Sequence, residues 1–200
     1  MIGAVLFIWL QGAEFYKDLH KQAVNSLLLG KGKTWIDLGC GPGLVARQAT
    51  TNYYDVTGID TDASMVTAAR LISKWHGIKT HFEVGDLSYL LNKKADVISA
   101  ASLLAVLDDK ESALDLLWES VFPKGYLLII EPTDLMNLEN ANRVIKSSLP
   151  TKRINGLRMW AKARENRAVE PSLFKNIVAK EKISIELLDG LVRAQIFRKD

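Results

Sequence analysis

The chain predicts a doubly wound α/β domain with a mostly parallel sheet and an antiparallel last strand. Three observations carry that expectation. From Thr34 onward, short β-branched runs alternate with segments of helical period, the order that builds a parallel sheet covered on both faces. A glycine-rich turn, Gly39 to Gly43, follows the first such run directly. At the far end, Ile183 to Leu188 and Leu191 to Arg198 flank Asp189-Gly190, a two-residue hairpin signal.

Taken in order, Met1 to Leu10 is apolar and includes Phe7, Ile8 and Trp9. It is too short to span a bilayer and lacks the basic start and cleavage site of a signal peptide. A lid or a helix packed over an active site is expected, and peripheral membrane contact stays open. Ala13 to Leu29 reads as a helix ended by Gly30, a C′ residue type. Thr34 to Leu38 has the content of a buried strand. Tyr54 to Ile59 reads as a second strand ending at Asp60. Thr61 is placed to cap a helix with Met65, Ala68, Ala69, Ile72 and Trp75 on one face. Thr80 to Val84 and Ala95 to Ala100 read as strands three and four. Asp108-x-x-Glu111 fits a capping box, with Ala113, Leu114, Leu117 and Val121 turned to the core. Pro123 to Pro132 supplies a fifth strand, and Thr133 to Lys182 is mostly helical with breaks at Pro150, Gly156 and Pro171.

Composition sets the bounds. Two hundred residues at 48% hydrophobic suffice for one domain, 1–200, with a real core. Within it, 1–30 reads as an N-terminal helical lid and 133–182 as a helical substrate or lid insertion. The formal charge of +3 implies no acidic polymer partner. A single cysteine, Cys40, cannot form an internal disulfide, which suits a reducing, cytoplasmic location. His20, His76 and His81 share no metal-ligand spacing with each other or with Cys40, so no metal is expected. Arg143, Lys146, Lys152, Arg153, Arg158, Lys162, Arg164 and Arg167 face one acid, Glu165. That stretch reads either as a solvated helical face or as a lid for an anionic or carrier-bound substrate, with Met159 and Trp160 as anchors.

The chemistry concentrates at Asp37-x-Gly39-x-Gly41-x-Gly43. A dinucleotide loop would read Gly-x-Gly-x-x-Gly and set a pyrophosphate on a helix N-terminus. Here the third glycine comes one residue early and a carboxylate stands just ahead. Such a charge repels a pyrophosphate and suits ammonium and sulfonium groups. An acid about 20 residues past the loop, Asp60, is where ribose hydroxyls are gripped in related nucleoside sites.

With Val84-Gly85-Asp86-Leu87 and the strand-five run ending Glu131-Pro132, these landmarks resemble the class I S-adenosylmethionine-dependent methyltransferase family. The resemblance runs from roughly Glu14 to Pro132 and implies a seven-stranded Rossmann-like methyltransferase fold. It implies that S-adenosyl-L-methionine is the cofactor. Asp37, Gly39, Cys40, Gly41 and Gly43 would hold its methionyl part, and Asp60 with Thr61 its ribose. Met65 would pack near the adenine, and Gly85, Asp86 and Leu87 would read the base. Ala100 would lie near the methionyl end, and Tyr16 loosely matches a cofactor-side tyrosine of relatives. The family members that methylate base amines carry an Asn/Asp-Pro-Pro-aromatic tetrad, where this chain reads Ser99-Ala100-Ala101-Ser102. A small-molecule acceptor is therefore expected and nucleic acid is disfavoured as a partner. An RNA or protein acceptor and a non-catalytic cofactor-binding module remain as alternatives. Candidate bases are Glu131, His20 and, behind them, Asp134, and none has a visible partner in sequence.

Overall fold

The computed structural model describes residues 2–148 and 154–200; Met1, Pro150, Lys152 and Arg153 lie outside them. Seven strands form one sheet: β1 (Thr34–Leu38), β2 (Asp55–Asp60), β3 (His81–Val84), β4 (Ala95–Ala101), β5 (Val121–Pro132), β6 (Glu181–Leu187) and β7 (Val192–Arg198). Their order is β3-β2-β1-β4-β5-β7-β6. β7 runs antiparallel to both β5 and β6, and the other pairs are parallel. The chain reverses direction across the sheet between β1 and β4, which makes that junction the topological switch point.

Helices cover both faces: α1 (Ile2–Gln11), α2 (Glu14–Asn25), α3 (Leu44–Thr51), α4 (Ala63–Trp75), α5 (Lys110–Glu119), α6 (Leu138–Ser148) and α7 (Asn155–Arg164). One core layer joins α2, α3, α4, α6 and α7 to the sheet through residues such as Leu19, Val45, Val66, Val144 and Leu157. The other packs Leu114 and Leu117 of α5 with Phe174 against Ile98, Ile129 and Phe197. Two buried layers around a parallel centre explain why β4 and the second half of β5 are almost continuously apolar.

Local caps and turns depart from the sequence expectations by a residue or more. Asp62, not Thr61, caps α4, its Oδ1 accepting from the Ser64 amide at 2.8 Å. The buried face is Val66, Ala69 and Ser73, whereas Trp75 is 85% exposed. The small Ala69 lets α4 close on the glycine loop, which selects that face over its neighbour. Likewise Asp109, not Asp108, caps α5 by accepting from Ser112 N at 3.0 Å, and Val121 opens β5 instead of closing the helix. α2 stops at Asn25, so Gly30 is no helix terminator. It is glycine because a Cβ there would stand 2.2 Å from the Tyr54 ring.

The hairpin is wider than a two-residue turn. Leu187 pairs with Val192, leaving four residues between the strands, of which Leu188, Asp189 and Gly190 have φ of 51°, 52° and 84°. Thr133 explains the width. Its Oγ1 donates to the Gly190 carbonyl at 2.6 Å and its amide to the Leu191 carbonyl at 3.0 Å, so the turn is tied to the end of β5.

Candidate functional site

A crevice of about 630 Å³ opens at the carboxyl ends of β1, β2 and β4, beside the switch point, where ligands of open α/β sheets bind. Gly39, Gly41, Asp60, Thr61, Met65, Gly85, Asp86 and Leu87 line it. The fold therefore brings together eight expected residues from three separate segments. Tyr16, Asp37, Cys40, Gly43 and Ala100 stand behind its wall instead.

The loop gets its shape from glycine and from bonds on every side. Gly39, Gly41 and Gly43 have φ of 65°, 52° and 78°, conformations that cost other residues strain. Gly39 and Gly41 present bare backbone to the crevice. Gly43 serves packing: a Cβ on it would lie 2.6 Å from the Phe82 ring. The Cys40 amide donates to the Ile59 carbonyl at 2.9 Å, and the Gly43 amide to the Cys40 carbonyl at 2.8 Å. Arg47 reaches back from α3 so that its guanidinium donates to the Pro42 carbonyl. Burial raises the Cys40 thiol, so it has none of the thiolate character of a nucleophile.

Asp60 links loop and crevice. One oxygen accepts from the Gly41 amide at 2.7 Å and the other from the Asp62 amide at 2.9 Å. A carboxylate has about four lone-pair sites, so capacity for two ligand hydroxyls remains. Asp86 uses Oδ1 to accept from the amide and hydroxyl of Ser88; Oδ2 makes neither bond.

Asp37 lies one layer deeper, 1% exposed. The Trp35 indole donates to Ser99 Oγ at 2.7 Å, and Ser99 donates to Asp37 Oδ1 at 2.6 Å. This relay crosses from β1 to β4 because Asp37 and Ser99 are register partners. Asp37 Oδ2 is buried without a partner. Desolvation pushes this carboxyl up to about 7, against the lowering effect of the Ser99 bond.

Neither of the two main base candidates reaches the crevice. His20 is buried under Tyr16, with ring centroids 4.4 Å apart, and its Nδ1 bonds the Tyr16 carbonyl at 2.7 Å. Glu131 accepts from the Leu104 amide at 2.8 Å through Oε1, and burial raises its carboxyl to about 8. It holds the segment after β4, where Ser102 has φ of 55°. Both Glu131 and Asp134 line a separate cavity of about 240 Å³.

Ala100 is fully buried, and Ala101, Ser102 and Leu103 line the crevice in its place. Sequence reasoning placed Phe7 and Arg164 in segments expected as lids without singling them out as lining residues, and it missed Gln11, Arg47 and Ser99 as supports. Ser99 carried a legible signal, a polar residue in a buried strand opposite an aspartate. Of the basic stretch, Arg143, Lys146, Lys162 and Arg167 are exposed, and Arg158 bonds Asn142 and Asn155. Trp160 is a core residue, 5.0 Å from the Tyr16 ring.

These features fit S-adenosylmethionine. Bare glycines where a Cβ would intrude, an orphaned buried Asp37 oxygen and a near orphan at Gln11 Oε1 match a ligand with hydrogen-bonding and cationic ends. A pocket of this size also falls within the usual range for cofactors.

Known proteins agree. A family described as "Methyltransferase domain" matches residues 8–171. A ubiquinone biosynthesis O-methyltransferase of Pectobacterium carotovorum subsp. carotovorum is 27% identical over 128 residues, covering 56% of this chain and 51% of that protein. The chain thus spans about half the length of the curated relative. Magnesium protoporphyrin IX methyltransferase (ChlM) from Synechocystis PCC 6803, solved with bound SAH, superposes with a TM-score of 0.69 at 15% identity, covering 100% of this chain and 95% of that one. The plantazolicin methyltransferase BpumL, with a triazolic desmethylPZN analog and SAH, gives 0.66 at 14% identity, covering 95% and 87%. Those structural likenesses carry the fold, and the family match over most of the sequence carries the membership: this chain belongs to the class I S-adenosylmethionine-dependent methyltransferases.

Proposed function

We propose that the chain transfers the methyl group of S-adenosylmethionine to a small-molecule acceptor and releases S-adenosylhomocysteine. The observation that carries this reading is the crevice itself: a bare-backbone loop flanked by Asp60 and Asp86, with the unpartnered Asp37 oxygen behind it. The bound sulfonium would supply both the electrophilic methyl and its own leaving group. The protein's share is alignment, which in bound pairs is worth on the order of 7–11 kcal/mol of barrier.

In this reading Gly39 and Gly41 let the methionyl chain lie against the backbone, with Asp37 favouring its positive charge from below. Asp60 takes the ribose hydroxyls, Met65 packs by the adenine, and Asp86 with the Leu87 amide reads the base edge. Tyr16, Cys40, Gly43 and Ala100 act by supporting that surface. Glu131 is a positioning residue for 103–105 and no general base is assigned. Phe7 of α1 and Arg164 of α7 line the crevice, which supports 1–30 and the α7 segment as lid elements of one domain, working on a small acceptor. Relatives named for ubiquinone biosynthesis and protoporphyrin methylation act on small molecules, and that supports the acceptor class. Among the described residues no helix is long and apolar enough to cross a membrane.

Calorimetric titration tests the reading. Wild type should bind S-adenosylhomocysteine saturably and ignore NAD, and Asp60→Ala should weaken binding about 10- to 100-fold, the scale of a lost bidentate charged contact. Tight NAD binding, or unchanged affinity in Asp60→Ala with intact fold, would refute it.

A further inference from the structure

The two signs of charge in the crevice are distributed unevenly. Asp60, Asp62 and Asp86 gather along the ends of β2 and β3, whereas Arg164 is the one basic side chain among the described residues lining it. Phe7, Leu103, Val106 and Leu107 line it too, so the guanidinium stands at the edge of an apolar wall.

Arg164 makes no ion pair among the described residues. Its Nε is buried without a partner, and Nη1 makes a single long bond of 3.4 Å to the Ala163 carbonyl. Tyr16 and Glu131 favour its charge and Arg167 opposes it, yet no ion pair joins it to Glu131 among the described residues. Glu131 spends Oε1 on the Leu104 amide, and its Oε2, buried without a partner, makes no ion pair with the guanidinium. One turn earlier on α7, the Trp160 indole N–H is also buried and unpaired. Arg158, in the same helix, shows the contrast: its Nε and Nη1 donate to the side-chain oxygens of Asn142 and Asn155. A half-buried guanidinium with unused donors is costly to leave unpaired, and its fork matches a carboxylate in two parallel bonds.

We propose that Arg164 is a receptor for the carboxylate of a ligand in the crevice, so that the acceptor side takes an apolar molecule bearing an acidic group. This deepens, and rests on, the methyl-transfer reading. The same chemistry is offered by two molecules: the acidic acceptor and the amino-acid end of the methyl donor.

The test uses the intact chain as wild type, Arg164→Gln and Arg164→Lys, each checked for an unchanged melting curve. Calorimetry compares S-adenosylhomocysteine with 5′-methylthioadenosine, which lacks the amino-acid end. A second arm titrates 1-naphthoate and its neutral amide into protein saturated with S-adenosylhomocysteine. Binding of S-adenosylhomocysteine by wild type is read first and tests the methyl-transfer reading independently of Arg164. If Arg164→Gln loses about 10- to 100-fold for 1-naphthoate and nothing for the amide, the acceptor is the source of the acid. A selective loss for S-adenosylhomocysteine over 5′-methylthioadenosine instead assigns the donor's carboxylate. Arg164→Lys should fall between, since it keeps the charge without the fork. Wild-type affinity of Arg164→Gln for both acids, with wild type binding S-adenosylhomocysteine, would overturn the proposal while leaving methyl transfer standing.

Discussion

Substituting alanine for Gly43 separates a backbone requirement from a packing one. Gly43 has φ of +78° and an added Cβ would meet Phe82 at 2.6 Å and Ala69 at 3.1 Å. Gly32 has φ of +77° with nothing within 4 Å. Alanine at Gly32 thus reads the left-handed backbone cost alone, about 1–2 kcal/mol. Alanine at Gly43 adds overpacking of about 1–3 kcal/mol. Phe82 cannot retreat, because a Cβ on Gly58 would already lie 2.6 Å from the same ring. At roughly 2–4 °C per kcal/mol for a domain of this size, Gly32→Ala should lower the melting temperature by roughly 2–8 °C. By the same scaling, the total of about 2–5 kcal/mol at Gly43 gives roughly 4–20 °C. Scanning calorimetry measures both. Adding Phe82→Leu should restore part of the Gly43→Ala loss and none of the Gly32→Ala loss. Equal shifts for the two alanines would refute the claim that the Phe82 contact demands glycine.

Further outcomes follow from the buried groups. Glu131 titrates near 8 when folded against 4.5 in the reference state. The folded chain therefore holds that proton longer, and its contribution to stability, complete below pH 4.5, is lost as pH rises through 8; urea melts of Glu131→Gln should be flatter with pH over that window. His20 has the opposite sign, near 4 when folded against 6.5. Its contribution is present above pH 6.5 and disappears as pH falls toward 4, so His20→Gln should lose less stability than wild type between those values. Ser99→Ala strands the Trp35 indole N–H and removes the Asp37 bond; a loss of about 1–3 kcal/mol is expected by urea denaturation, and no loss would show that the relay contributes nothing.

Much of the fold and of the crevice lining was legible because it is local. Strand runs, the glycine turn and Asp60 are fixed by short-range composition and spacing, and β1 falls on Thr34–Leu38 as expected. Caps shifted by one residue, since adjacent aspartates at 108 and 109 offer the same chemistry and only the chain's approach to α5 decides between them. The hairpin widened because Thr133, far away in sequence, ties down its turn. Arg164 could not be singled out from eight basic residues, because only packing of α7 shows which guanidinium turns inward. Arg47 belongs to a tertiary network that no periodicity announces, and the signal at Ser99 gains its meaning only once β1 is paired with β4.

The glycine loop is held in shape by the protein alone. Anchored through Cys40, Gly41, Pro42 and Gly43 to β2, Asp60, α3 and itself, it acquires its curvature while the chain folds. In the proposed reading a nucleoside arriving there would meet a ready-made seat, without the ordering entropy that a floppy turn would subtract from affinity. Amide hydrogens of this turn should therefore exchange slowly with solvent even in ligand-free protein.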